Sequence, residues 1–65
     1  MKIDNKKLDV AMANAGILLQ DLARKANVST ETLRNIRKGT RVPRPTTIGK
    51  IARALNVNVQ DIIED

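Results

Sequence analysis

The amino-acid sequence predicts an all-α fold. Apolar residues recur at spacings of three and four along most of the chain, and no run alternates with the period of two that a half-buried strand needs. Gly, Asn and Pro fall between the periodic runs, where helices stop and start. Five helical segments follow. With 65 residues they make one domain, 1–65, with a modest aliphatic core.

The first helix is expected from about Asp4 or Asn5, either of which can cap it, to Ala15. Leu8, Ala11, Met12 and Ala15 share one face, and Gly16 ends the run. The second covers about Leu19 to Ala26. Leu22, Ala23 and Ala26 form its inner stripe, with Asp21 near the positive end of the helix dipole. Asn27 tolerates left-handed backbone, Val28 plugs the turn, and Ser29 caps the third helix. Thr30, Glu31 and Thr32 make its first turn. Leu33 and Ile36 face inward, which leaves Thr30, Glu31, Arg34, Asn35 and Lys38 on the other side. Gly39 stops it. Thr40 to Arg44 form a loop holding Pro43, and Pro45 suits the first position of a fourth helix. That helix, about Pro45 to Leu55, carries Ile48, Ile51, Ala52 and Leu55 as an i, i+3, i+4, i+7 series. Asn56 ends it. Asn58 caps a short fifth helix, Val59 to Ile63, with Ile62 and Ile63 docking back.

Composition narrows the function. The chain has no Cys, no His and no aromatic residue. A zinc ion would find carboxylates alone, catalysis lacks its usual acid–base side chain, and no Gly-rich phosphate loop or nucleophile–base set is present. No enzyme, cofactor or metal site is expected. Without aromatics there is no stacking platform for single strands. The apolar run Gly16 to Leu19 is far short of a membrane span, and MKIDNKK lacks the apolar stretch of a secretory signal. The expected setting is cytoplasmic, associated with the nucleoid when bound. Net charge is +5, yet Arg34 to Arg53 holds seven cations and no acid, leaving −2 for the remainder. A basic segment on a near-neutral body is the footprint of phosphate binding.

The stretch Leu22 to Gly39 concentrates the signal. Two helices that cross steeply through a short turn need a small residue where their backbones approach, and Ala23 supplies it. Four residues on, the turn needs positive φ, which Asn27 accepts. Val28 and Leu33 anchor the two ends of the junction. Ala-x3-Asn-Val-Ser-x3-Leu-x2-Ile therefore reads as helix-turn-helix, with the second helix shaped for a DNA major groove.

At these residues the chain resembles the Cro/repressor-type helix-turn-helix domains, also called the XRE family. The resemblance runs from about Leu8 to Ile63. It rests on Gly16-Ile17, Leu22-Ala23, Asn27-Val28-Ser29, Thr32-Leu33, Ile36, Gly39, Pro43, Thr47-Ile48, Ile51-Ala52, Ala54-Leu55, Val57 and Asp61-Ile62. It implies a lambda-repressor-like five-helix bundle that binds operator DNA, usually as a homodimer, and regulates transcription. By position, base reading falls on Thr30, Glu31, Arg34 and Asn35. Side-chain chemistry suits Arg34 to guanine, Asn35 to adenine, Glu31 to a cytosine amino group, and Thr30 to a thymine methyl or a phosphate. Ser29, Arg37, Lys38, Thr40, Arg41 and Arg44 are the phosphate candidates.

Two departures from the family pattern matter. Relatives often begin the second helix with a Ser or Thr cap and then a Gln on a phosphate; here those places hold Leu18 and Leu19. Leu19 is either a surface apolar contact or turned inward. Many relatives also pair an Arg of the first helix with a Glu late in the third, and the counterparts here are Met12 and Arg37. Met12 is expected on the aliphatic stem of Arg37, leaving the guanidinium free for DNA. Lys6, Lys7, Arg24, Lys25, Lys50 and Arg53 read as solvated, and Lys2 as part of a loose terminus. Val57, Val59, Ile62 and Ile63 are the first candidates for a dimer surface. The rival reading is a protein-interaction module, antitoxin-like, that presents the Leu18-Leu19 edge to a partner.

Overall fold

The computed structural model describes residues 1–65. Helix α1 spans Asn5–Ala15, α2 Leu19–Ala26, α3 Thr30–Lys38 and α4 Pro45–Ala54. A single 3-10 turn, Val59–Asp61, follows.

Each boundary has a local cause. The Asp4 carboxylate accepts from the backbone N–H groups of Lys6 at 2.9 Å and Lys7 at 3.1 Å, which caps α1. Gly16, at φ 67°, closes it. Asn27 closes α2 at φ 59° and ψ 43°, and the Val28 N–H donates to the Ala23 carbonyl at 2.9 Å across that turn. Ser29 Oγ accepts from the Thr32 N–H at 3.0 Å to open α3. Gly39, at φ 80°, ends α3, and Pro45 opens α4.

The left-handed turn at Asn27 is testable. Asn27→Ala places a residue with no stabilising side-chain amide in the left-handed region, and a loss of about 1 kcal/mol is expected. Asn27→Gly is expected to stay within about 0.5 kcal/mol of the parent, because Gly adopts that region freely but loses more chain entropy. Thermal melts of the two variants decide this; equal loss in both would mean that backbone conformation is not what Asn27 supplies.

One aliphatic core joins the elements. Leu8, Leu22, Leu33, Ile48, Ile51 and Ile62 are its largest fully buried side chains. Helix α2 packs against both α3 and α4, with Leu22, Ala23 and Ala26 on its buried face. Leu33 and Ile36 are the buried residues of α3. Leu19 turns inward and packs against the core, whereas Leu18 stays 63% exposed.

Several expectations are corrected. The fold has four helices, not five. The expected helix from Val59 to Ile63 is one 3-10 turn, because the chain beyond it turns its backbone outward to pair with the N-terminus. Ile3 and Ile63 form an isolated antiparallel bridge; the Asp4 N–H donates to the Ile62 carbonyl at 2.8 Å, and the Glu64 N–H to the Lys2 carbonyl at 2.9 Å. Groups engaged in this way cannot also continue a helical ladder. Lys2 is therefore tied through its backbone, and Ile3 is a core residue. Ala15, expected on the inner stripe of α1, is exposed at the helix end. Lys7 is not simply solvated: its Nζ donates to the Ile63 carbonyl at 3.0 Å and pairs with Asp65 at 3.1 Å. Of the four C-terminal residues expected at a dimer surface, Ile62 alone is withdrawn into the interior, while Val57, Val59 and Ile63 are half-buried and pack against the core.

Candidate nucleic-acid interface

Helix α3 presents its polar face outward from a buried anchor. Leu33 and Ile36 hold one side in the core. Glu31, Arg34 and Lys38 are exposed, and Thr30 and Asn35 half-buried at the edges of that face. None of the four residues assigned to base reading belongs to the core. Arg34 and Glu31 take part in no ion pair, so their charged groups are free toward solvent. The nine-residue helix ends at both sides in fixed caps, which makes it a short rigid rod.

The phosphate candidates divide by how their donors are already engaged. A hydroxyl has one proton to give. Ser29 Oγ donates it to Thr32 Oγ1 at 2.7 Å, inside the α3 cap. Thr40 Oγ1 donates to the Asn35 carbonyl at 3.2 Å, and the Thr40 N–H to the same oxygen at 3.0 Å. Both hydroxyls therefore finish helix ends. Lys38, Arg41 and Arg44 are exposed and unpaired. Arg41 and Arg44 line a cleft of about 180 Å³ with Thr32 and Thr47, floored by Ile36 and Pro43, between α3 and the start of α4. No carboxylate lines that cleft. Thr32 and Thr47, which the sequence did not single out for this region, are half-buried in the lining.

Arg37 is elsewhere. Its Nη2 pairs with Asp9 Oδ1 of α1 at 2.7 Å, its side chain is only 29% exposed, and Asn5 Nδ2 donates to its carbonyl at 2.7 Å. The free guanidinium expected for Arg37 is thus replaced by a tie between α1 and the end of α3. This reverses the polarity of the family's pair: the acid comes from the first helix and the cation from the third. Met12 is partly buried and packs against the core. The other guanidinium nitrogen, Nη1, is buried without a partner, so the tie is an incompletely satisfied one.

A capped, core-anchored helix with an open polar face, set across a four-residue-spaced left-handed turn from its partner helix, defines a helix-turn-helix module. The chain belongs to the Cro/C1-type HTH DNA-binding domain family, which matches residues 7–65. Two solved structures are similar. One is the clp gene regulator ClgR from C. glutamicum, 25% identical, covering 85% of this chain and 71% of that one at a TM-score of 0.74. The other is the SOS-response transcriptional repressor LexA from Eubacterium rectale, 28% identical, covering 100% of this chain and 76% of that one at 0.72. No curated protein matches. No helix is long and apolar enough to cross a membrane.

Proposed function

We propose that the chain regulates transcription by binding a specific duplex sequence, with α3 in the major groove. Arg34 reads guanine, Asn35 adenine, Glu31 a cytosine amino group, and Thr30 a thymine methyl or a nearby phosphate. Lys38, Arg41 and Arg44 hold the backbone. The observation that carries this reading is the outward face of α3, where Arg34 and Lys38 stand free of any internal acid. Two copies on one operator would read half-sites about 34–36 Å apart; that association forms on DNA and does not use Ile62, which is interior. The Leu18-Leu19 edge lends the partner-only reading little support, because Leu19 packs against the core and Leu18 is the exposed leucine there.

The test is selection of bound sequences from a random duplex pool, followed by titration at several salt concentrations. Log K is expected to fall with log salt at a slope of about −2.7 per copy if Lys38, Arg41 and Arg44 each hold one phosphate. Sequence-blind binding with a flat salt response would overturn the proposal. Arg37 supplies a control. Arg37→Met is expected to leave the slope unchanged, whereas Lys38→Met makes it shallower by about 0.9. A slope that changes with Arg37 would return that residue to the interface.

A further inference from the structure

The C-terminal ends of α2 and α4 flank a shallow, open cleft of about 580 Å³ whose lining includes none of the proposed DNA contacts. Lys25, Lys50 and Arg53 line it, and no carboxylate does. All three cations are exposed and none makes an ion pair, although the neighbouring Arg24 is held by Asp21. The dipoles of α2 and α4 favour a cation in their last turns, where Lys25 and Arg53 stand. They do not account for Lys50, which lies mid-helix. The floor is apolar, formed by the buried Ala26 and the half-buried Ala54. Asn27 and Asn56, the two left-handed non-glycine residues, bring amide groups to the lining.

On its α4 side the cleft lies away from the loop that carries Arg41 and Arg44, and on its α2 side Asn27 lies three residues before Thr30. Helix α4 starts at the loop that carries Arg41 and Arg44. At about 1.5 Å per residue, Lys50 and Arg53 sit roughly 8 and 12 Å further along it than Pro45. A duplex lying on α3 and that loop meets the opposite end of α4. Three cations around an apolar floor also differ from a phosphate track, since a phosphodiester backbone brings charge but little apolar surface.

We propose that this cleft docks an acidic segment of a partner protein, with carboxylates over Lys25, Lys50 and Arg53 and a small apolar side chain on Ala26 and Ala54. The proposal stands independently of what α3 reads.

An NMR titration of the full chain tests it, with a synthetic peptide of alternating Glu and Leu in one arm and a short duplex in the other. The peptide is expected to shift the amides of Lys25, Asn27, Lys50 and Arg53. Lys50→Glu with Arg53→Glu is expected to weaken the peptide by about tenfold or more. Because the reversal lowers net charge from +5 to +1, duplex affinity is compared at high salt, where long-range attraction is screened and the pair is expected to stay within about twofold of the parent. Lys50→Gln with Arg53→Gln removes charge without reversing it, and carries the test if the reversal unfolds the chain. Three results would overturn the proposal: a peptide that moves Arg34, Lys38 and Arg41 instead or moves nothing, peptide affinity unchanged in both double variants, or a duplex that shifts the cleft amides as strongly as the peptide.

Discussion

Leu33→Ala is expected to leave much of the chain unfolded at room temperature. Leu33 is fully buried and ties α3 to the core. Truncating such a leucine costs about 2–5 kcal/mol, through lost burial and the cavity left behind. A domain of this length has only about 3–10 kcal/mol in total. Nine residues of α3 cannot stay helical by themselves, because an isolated helix that short is marginal in water. Far-UV circular dichroism should therefore fall, and DNA binding should fall with it. Leu33→Met, which nearly conserves volume, is expected to cost less than about 1.5 kcal/mol and to keep both signals. A Leu33→Ala variant that melts within a few degrees of the parent would show that α3 is held by something other than its apolar anchor.

The second large effect separates reading from gripping. Arg34→Ala is expected to relax sequence preference at one base position, by about 1–3 kcal/mol, and to leave binding to other sequences nearly unchanged. Lys38→Ala is expected to weaken all sequences alike and to make the salt dependence shallower by about one phosphate contact. The physical basis is position on one helical face. Arg34 is near its middle and can present a planar fork to a guanine edge, while Lys38 is at its end, beside the loop. Competition binding with single-base variants of the selected site measures both. Equal and uniform losses from the two substitutions would refute this division of labour.

Much of the fold was legible because it is written in local chemistry. Asn27, Gly39 and Pro45 set helix ends through the backbone conformations they permit, and these need no distant partner. The inward stripes of α2, α3 and α4 follow from helical spacing alone. Leu33 and Ile36 then decide which way Arg34 and Glu31 must face, so the outward side of α3 was readable as well.

The misreadings with the largest consequences depend on residues far apart in the chain, whereas the engaged Ser29 and Thr40 hydroxyls are held by partners three and five residues away. Asn5 and Arg37 are 32 residues apart and meet only because α1 passes the end of α3. The same crossing brings Asp9 to the Arg37 guanidinium, so a cation that looked free is engaged. The C-terminal residues have the local marks of a helix, and the Asn58 N–H does donate to Asp61 Oδ2 at 3.0 Å. Pairing with Ile3 nonetheless draws the following residues into an extended bridge. Ile62 looked available to a second copy for the same reason: nothing local shows that the chain's own core takes it.

The order of residues alone therefore determined the helices, their buried stripes and the left-handed turn between α2 and α3, because spacing and backbone preference act within a few residues. Folding in three dimensions decided which charges remain unpaired and where cations gather beside the ends of α2 and α4. Electrostatic and hydrogen-bond partners are chosen by proximity in space, and that proximity is a property of the packed helices rather than of any short stretch of chain.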